Sequence, residues 1–270
     1  MRALMKVGFA LLVLAFLLIG LSYSMLRAQG VSGTGNLAGR MVESDTRGLG
    51  KNIRAIDLSG PIDMTLRQGA LPSLVVRGEQ RLLANIETVT GNDGTLHIRP
   101  TGMVLFHRQP LQVTLVLPSI EDVAVRGSGD STINGFSGDR IDVRLTGSGS
   151  LKFNGRFRHV RAEIHGSGNL EMNGGSSDKV EVTLAGTGNM TVVGSSKQFK
   201  VEQAGTGDIY ARHLTAEEVT LKMAGTGDAA VTAQKAVTVV LRGASDVVVY
   251  GSPAERNVDS HGSGDIVFKP

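Results

Sequence analysis

The stretch VEVTLAGTGNMTV, residues 180–192, contains the pattern that decides the fold. Apolar residues alternate with polar or small ones on both sides of the central Gly-Thr-Gly-Asn at 186–189. Alternation with a period of two is typical of β-strands with one buried face. The two glycines fit a bend that needs positive φ or close backbone approach. The stretch therefore predicts a strand, a sharp corner and a second strand.

This corner phrase recurs eight times, at intervals of 18 to 20 residues. A repeat so short and regular indicates stacked coils in a solenoid. We therefore predict an all-β fold, a single-stranded parallel β-helix that is right-handed because crossover connections are. An antiparallel sandwich would not explain why the same corner recurs once per period. The phrases begin at Gly127, Gly147, Gly166, Gly186, Gly205, Gly225, Gly243 and Gly262.

The chain divides into four segments by composition. Residues 119–270 hold the regular β-helix repeats, and residues 52–118 keep the alternation without the phrase. We expect this earlier segment to form irregular β-coils that cap the amino-terminal end. Residues 28–51 are polar and Gly-rich, which predicts a flexible linker. Residues 1–27 form a leader.

The leader contains an uncharged run, residues 7–26, between Lys6 and Arg27. Twenty residues of helix rise about 30 Å, enough to cross a bilayer core, so an N-terminal apolar helix can anchor the chain. Ser22 and Ser24 can instead be the small residues before a signal-peptide cleavage site. Both interpretations place the rest of the chain outside the cytoplasm.

Composition narrows the possible chemistry. The 270 residues include 36 glycines and no cysteine. Without cysteine there are no disulfides, thiolate metal sites, cysteine nucleophiles or lipidated cysteines. The net charge of +3 is too small to argue for nucleic acid as a partner.

Outward positions hold opposite charges one coil apart, which predicts ion pairs between Lys152 and Glu171, Arg144 and Glu163, and Glu202 and Lys222.

A column of corner residues is the candidate for a cation site. Its last four members, Asp208, Asp228, Asp246 and Asp265, would lie one coil apart, where Ca²⁺ would relieve their repulsion. The alternative is that each side chain caps turn amides and binds no metal. The histidines lack ligand spacing, and the repeated corner serines fit turn chemistry better than a nucleophile. We expect no catalytic residues and no cofactor.

The last strands carry the candidate partner surface. Val247–Tyr250 is a continuous apolar run, and Val267 falls in the outward column of Val248. We expect no polar cap on this end, so a strand edge would be open to pairing. Val248, Tyr250 and Val267 are therefore the predicted partner-binding residues.

The ordered succession of motifs resembles a bacterial family, the putative auto-transporter adhesin, head GIN domain. The resemblance rests on IRAIDLSGPIDMTLRQG at 53–69, VVRGEQRLLANIETVTGNDGTLHIRP at 75–100, LQVTLVLPSIEDVAVRGSGD at 111–130 and the serial corners, and it covers 53–270. It implies a surface-exposed, adhesin-like β-helix and no established reaction. This chain lacks the lipobox cysteine of many relatives, so an anchor would have to come from residues 7–26.

These observations favour an extracytoplasmic, membrane-tethered or secreted binding module of the bacterial cell envelope that is not an enzyme. Its partner would be a cell-envelope component, a surface glycan or another copy of itself. Two alternatives are a carbohydrate-active enzyme on a β-helix and a self-assembling envelope scaffold. The uniformly short loops offer no obvious groove walls for the enzyme.

Overall fold

The computed structural model describes residues 41–102 and 109–270 and shows an all-β solenoid of about seven turns. Its elements in chain order are β1 (Val42–Arg47), β2 (Ala55–Ser59), β3 (Ile62–Gln68), β4 (Ser73–Glu79), α1 (Gln80–Leu83), β5 (Ile86–Thr90), β6 (Thr95–Pro100), β7 (Leu111–Leu117), β8 (Asp122–Gly127), β9 (Ser131–Gly147), β10 (Leu151–Gly166), β11 (Leu170–Gly186), β12 (Met190–Gly205), β13 (Ile209–Gly225), β14 (Ala229–Gly243), β15 (Val247–Tyr250), β16 (Glu255–Ser260) and β17 (Ile266–Lys269).

The long strands β9 to β14 stack in parallel, each on the one before it. Val160 lies opposite Val180 in the next coil, and Val180 lies opposite Phe199. The corner glycines keep the same register, with Gly166 opposite Gly186. The predicted parallel stacking is confirmed, and the antiparallel sandwich is wrong. The right-handed sense of the coil stays a prediction.

The alternating apolar residues face a shared interior. In the coil of β10, Leu151, Phe153, Val160, Ala162 and Ile164 are each at most 2% exposed. Full burial of a large aliphatic or aromatic side chain contributes about 1.5–3 kcal/mol. One coil cannot cover its own apolar face, so this stabilisation arises only when coils stack.

The corners need glycine because adjacent coils touch there through their backbones. Gly186 has a φ of 144°, and a Cβ built on it would lie 1.9 Å from the carbonyl oxygen of Gly166. A Cβ on Gly188 would lie 1.8 Å from the carbonyl oxygen of Gly168. Contact between coils therefore requires glycine at both positions of this phrase.

The first coils are irregular and include antiparallel pairs. β2 and β3 run parallel to β8 and β9 and make the first coil beneath the regular repeats. β4 runs antiparallel to β7 and to β1, and β5 runs antiparallel to β6. Alternation alone did not distinguish the direction of these strands, because both directions bury one face of each strand.

β1 lies inside the segment predicted to be a flexible linker, residues 28–51. It pairs with the edge of β4, and the Arg47 guanidinium donates hydrogen bonds to the carbonyl oxygens of Leu83, at 2.6 Å, and Ile86. The linker prediction is therefore wrong for Val42–Arg47. The sequence VESDTR has no apolar alternation because backbone pairing and Arg47 hold this strand, rather than a buried face.

The predicted apolar helix at residues 7–26 lies outside the described residues. Within the part of the chain that the structure describes, no helix is long and apolar enough to cross a membrane. Its one helix, α1, is a single turn between β4 and β5 that places Leu82 and Leu83 in the core.

Candidate binding surface

The strand segment after each corner presents an outward column, which we call the front column. By register it runs through Thr132, Lys152, Glu171, Thr191, Tyr210, Ala230, Val248 and Val267. In its first half, Lys152 Nζ and Glu171 Oε2 form an ion pair at 2.9 Å. The second half carries no charge. We call Tyr210, Ala230, Val248 and Val267 the apolar stripe.

The apolar stripe is open to solvent at both ends. The Tyr210 side chain is 50% exposed and that of Val267 is 43% exposed, with Ala230 and Val248 half-buried between them. The predicted shared column of Val248 and Val267 is confirmed by their register. Their role in partner binding stays a prediction. Four adjacent coils thus present a continuous uncharged strip.

Tyr210 was not among the predicted partner-binding residues, although its position in the repeat is a signal for it. Tyr210 follows its corner glycine Gly205 by five residues, as Val248 follows Gly243. Its phenol donates a hydrogen bond to the Asp208 carboxylate at 3.0 Å. That bond, with the negative charge of Asp208, raises the pKa of Tyr210. The phenol is thus neutral at physiological pH and is oriented by the corner beside it.

Tyr250, the third predicted partner-binding residue, has one face covered. The Arg212 guanidinium carbon lies 4.4 Å from the centroid of its ring, a cation–π contact. Tyr250 pairs with Thr232 on one side and Lys269 on the other. It therefore flanks the apolar stripe and offers less free ring surface than Tyr210.

The acidic column forms a ladder of hydrogen bonds from side chain to backbone. Asp208 accepts from the backbone N–H of Asp228 at 2.9 Å, and Asp228 accepts from that of Asp246 at 3.1 Å. Asp246 accepts from the N–H of Asp265 at 2.9 Å, and Asn189 does the same for Asp208 at 3.0 Å. Each side chain thus caps the corner of the following coil.

This ladder supports the turn-cap interpretation of the column. An amide donor gives each carboxylate a favourable partner without a cation, and a neutral Asn serves equally well at position 189. Among the residues described, no group of three or more acidic or histidine side chains is arranged to hold a metal ion. Calcium binding by Asp208, Asp228, Asp246 and Asp265 stays a prediction.

Two of the three predicted ion pairs are present. Lys152 pairs with Glu171 as described above, and Lys222 Nζ lies 3.5 Å from Glu202 Oε1. The pair between Arg144 and Glu163 is wrong, although the two residues are opposite in register. Arg144 instead contacts Asp122 at 2.6 Å, and Glu163 contacts Arg161 at 2.7 Å. A diagonal or same-strand partner competes with the one directly opposite.

An open groove of about 650 Å³ crosses the strand segment before the corners, over a floor that includes several alanines. Its wall includes Glu202, which pairs with Lys200 at 2.9 Å as well as with Lys222. The hydrogen bond from Lys200 lowers the pKa of Glu202. Glycoside hydrolysis needs a general acid whose pKa is raised. Glu202, whose pKa is lowered, instead suits a surface ion pair.

The last strands, β16 and β17, form what we call the terminal edge. Within the described residues β16 pairs only with β14, and β17 only with β15. Arg256 lies opposite Val237, a position that is apolar in the regular coils. Its guanidinium carbon lies 4.5 Å from the centroid of the Phe268 ring. Arg256 thus covers one face of the Phe268 ring, and the expectation of no polar cap stays a prediction.

The family model described as "Putative auto-transporter adhesin, head GIN domain" matches residues 52–253. The chain belongs to this family. The match includes the first coils from β2 onward and every regular coil through β15, and it ends before the terminal edge. Among curated proteins, none matches the chain by sequence.

Solved structures share the fold of this GIN domain. A putative adhesin from Parabacteroides distasonis ATCC 8503 is 20% identical with a TM-score of 0.77, covering 85% of this chain and 97% of its own. A putative lipid binding protein from the same strain is 22% identical with a TM-score of 0.75, covering 88% and 98%. A putative adhesin from Bacteroides fragilis NCTC 9343 is 19% identical with a TM-score of 0.65, covering 87% and 100%. At these identities the likeness shows the fold alone.

Proposed function

We propose that this GIN domain is a non-enzymatic, adhesin-like binding module of the bacterial cell envelope, and that the apolar stripe binds a neutral surface glycan. The domain acts outside the cytoplasm, either tethered by residues 7–26 or secreted after their removal. The family and the adhesin-like neighbours support a binding role. The leader supports the location.

The apolar stripe is the observation that carries the proposal. On other parts of the outward faces of the regular coils, charged side chains form ion pairs. Along the stripe, Tyr210, Ala230, Val248 and Val267 leave a contiguous strip of uncharged surface on four successive coils. Contiguous exposed apolar surface is typical of binding sites.

The chemistry beside the stripe fits a sugar. The exposed Tyr210 ring offers an apolar face with a polar tip, which suits the apolar face of a pyranose ring. The carboxylates of Asp208, Asp228 and Asp246 lie along the neighbouring corners at one per coil, about 4.8 Å apart, and can accept hydrogen bonds from hydroxyls. Ligand sites commonly combine an apolar platform with a small number of polar groups beside it.

Binding to a panel of envelope glycans tests the proposal, using the fragment Val42–Pro270, which is one compact unit and keeps β1. Tyr210→Ala should reduce affinity about tenfold or more, because it removes the aromatic platform. Tyr210→Phe keeps the ring and should retain most of the binding. Val89→Ala is the matched control, because Val89 is similarly exposed, at 48%, but lies on β5 in the first coils.

Two results would contradict this function. Glycan binding that is equally strong in wild type, Tyr210→Ala and Val248→Asp would show that the apolar stripe is not the binding site. Turnover of a bound glycan, if one substitution in the acidic column abolishes that turnover, would show that the domain is a carbohydrate-active enzyme.

A further inference from the structure

We infer that two copies of this chain join tail to tail, by antiparallel pairing of their β17 strands about a twofold axis at Val267. This inference does not depend on the proposed glycan binding. It concerns the terminal edge, which lies beyond the residues that the family model matches.

Within the described residues, the backbone groups of β17 that have no strand partner are those of Ile266 and Phe268. The carbonyl oxygen of Asp265 accepts from Val247, and that of Lys269 accepts from Gly251. Residues 265, 267 and 269 therefore direct their backbone groups toward β15. Because successive residues of a strand point their backbone groups to opposite sides, Ile266 and Phe268 direct their N–H and C=O groups away from the solenoid.

One antiparallel register uses all four of these groups. With Val267 opposite Val267 of the second copy, Ile266 faces Phe268 of the second copy and exchanges two hydrogen bonds with it. The symmetry repeats that pair. Val267 then falls in a non-hydrogen-bonded pair, where the Cα atoms lie about 4.5 Å apart. The unpaired side of β17 is completed without any change in the fold.

The side chains are self-complementary in the same register. Asp265 falls opposite Lys269 of the second copy, and the twofold axis makes this pair twice. Asp265 ends the acidic ladder, since within the described residues no later coil offers it a backbone amide. Lys269 supplies the opposite charge. Opposite charges facing each other stabilise a cross-strand pair.

The apolar surface at the terminal edge also favours a second copy. Ile266 and Phe268 pack against the core but are only partly buried, and the inward-facing Val258 is 44% exposed. Arg256 covers one face of the Phe268 ring and donates a hydrogen bond to the carbonyl oxygen of Pro253. A twofold contact closes on itself, which gives a dimer and not a fibre.

Cysteine cross-linking of the full chain tests this arrangement, since the native chain has no cysteine. Val267→Cys should form a disulfide-linked dimer under mild oxidation, because Cα atoms about 4.5 Å apart lie within disulfide range. Tyr210→Cys is the matched control, similarly exposed on the same column but three coils away, and should cross-link far less. Equal cross-linking of the two variants would overturn the inference.

Charge exchange gives a second readout in the Val267→Cys background. Adding Lys269→Asp, or instead Asp265→Lys, places like charges opposite each other and should reduce cross-linking several-fold. Mixing the two double variants should restore it, because each then supplies the charge that the other needs. Lys152→Asp, far from β17, should leave cross-linking unchanged. A failure of the mixture to restore cross-linking would also overturn the inference.

Discussion

At the scale of single residues, the corner glycines are fixed by the backbone of the coil before them. A side chain at Gly186 would meet a carbonyl oxygen at 1.9 Å, in a φ range that side chains rarely adopt. Neither the coil nor its neighbour can move aside, because each is hydrogen-bonded along its length to the next. The repeat therefore keeps glycine at this position even where serine and threonine alternate beside it.

Gly186→Ala should lower the free energy of unfolding by about 2–5 kcal/mol, from steric overlap together with backbone strain. Urea denaturation of the fragment Val42–Pro270 measures this loss. Gly48→Ala is the control, because a Cβ at Gly48 meets nothing within 4 Å. Equal denaturation midpoints for the two variants would show that the corners do not touch as described.

The second prediction at this scale concerns acid stability. Hydrogen bonds from Lys197, at 2.7 Å, and Arg158, at 3.0 Å, lower the pKa of Asp178 from its ordinary value of 3.8. A carboxyl whose pKa is lower in the folded state stabilises the fold above its unfolded pKa. That contribution is lost as pH falls through the lowered value.

The Asp178→Asn variant should therefore lose less stability than wild type when the pH falls from about 5 to about 2. Urea midpoints at a series of pH values give the comparison, and an NMR titration of the Asp178 carboxyl gives its pKa directly. A measured pKa at or above 3.8 would contradict the two ion pairs.

At the scale of elements, the acidic ladder links each corner to the next. Asp228→Ala removes the acceptor for the N–H of Asp246 and should cost about 1 kcal/mol of stability. Asp228→Asn keeps an acceptor oxygen, as Asn189 does naturally, and should cost much less.

Urea denaturation with calcium or with a chelator distinguishes the two interpretations of the column. Stabilisation by calcium that Asp228→Asn abolishes would favour the cation site over the turn cap.

The regular coils could be predicted from the sequence because one period of 18 to 20 residues fixes both the corners and the inward columns. β1 could not, because its polar side chains bury no face and its pairing depends on the distant β4. The partner of Arg144 could not be predicted either, since Asp122 in the coil before it and Glu163 in the coil after it are both within one coil of Arg144. Arg256 and Tyr210 could have been found, by counting six residues before or five after a corner glycine.

At the scale of the whole molecule, stability depends on contact between neighbouring coils. In such solenoids each repeat interacts only with the repeats beside it, so stability is close to a sum of nearest-neighbour contributions. Leu184 is fully buried in the middle of the stack. Leu184→Ala should therefore cost about 3–5 kcal/mol, measured by urea denaturation. Val267→Ala, at the exposed end of the front column, should cost under about 1 kcal/mol in the monomer.

Distances between spin labels along the front column test the stacking most directly, since a chain without cysteine accepts labels at chosen sites. One label stays at Thr132 and the second moves from Tyr210 to Ala230 to Val248, each one coil farther. Parallel coils predict distances of about 19, 24 and 29 Å, an increase of about 4.8 Å at each step. Distances that fail to increase along this series, or that shorten at any step, would contradict the solenoid.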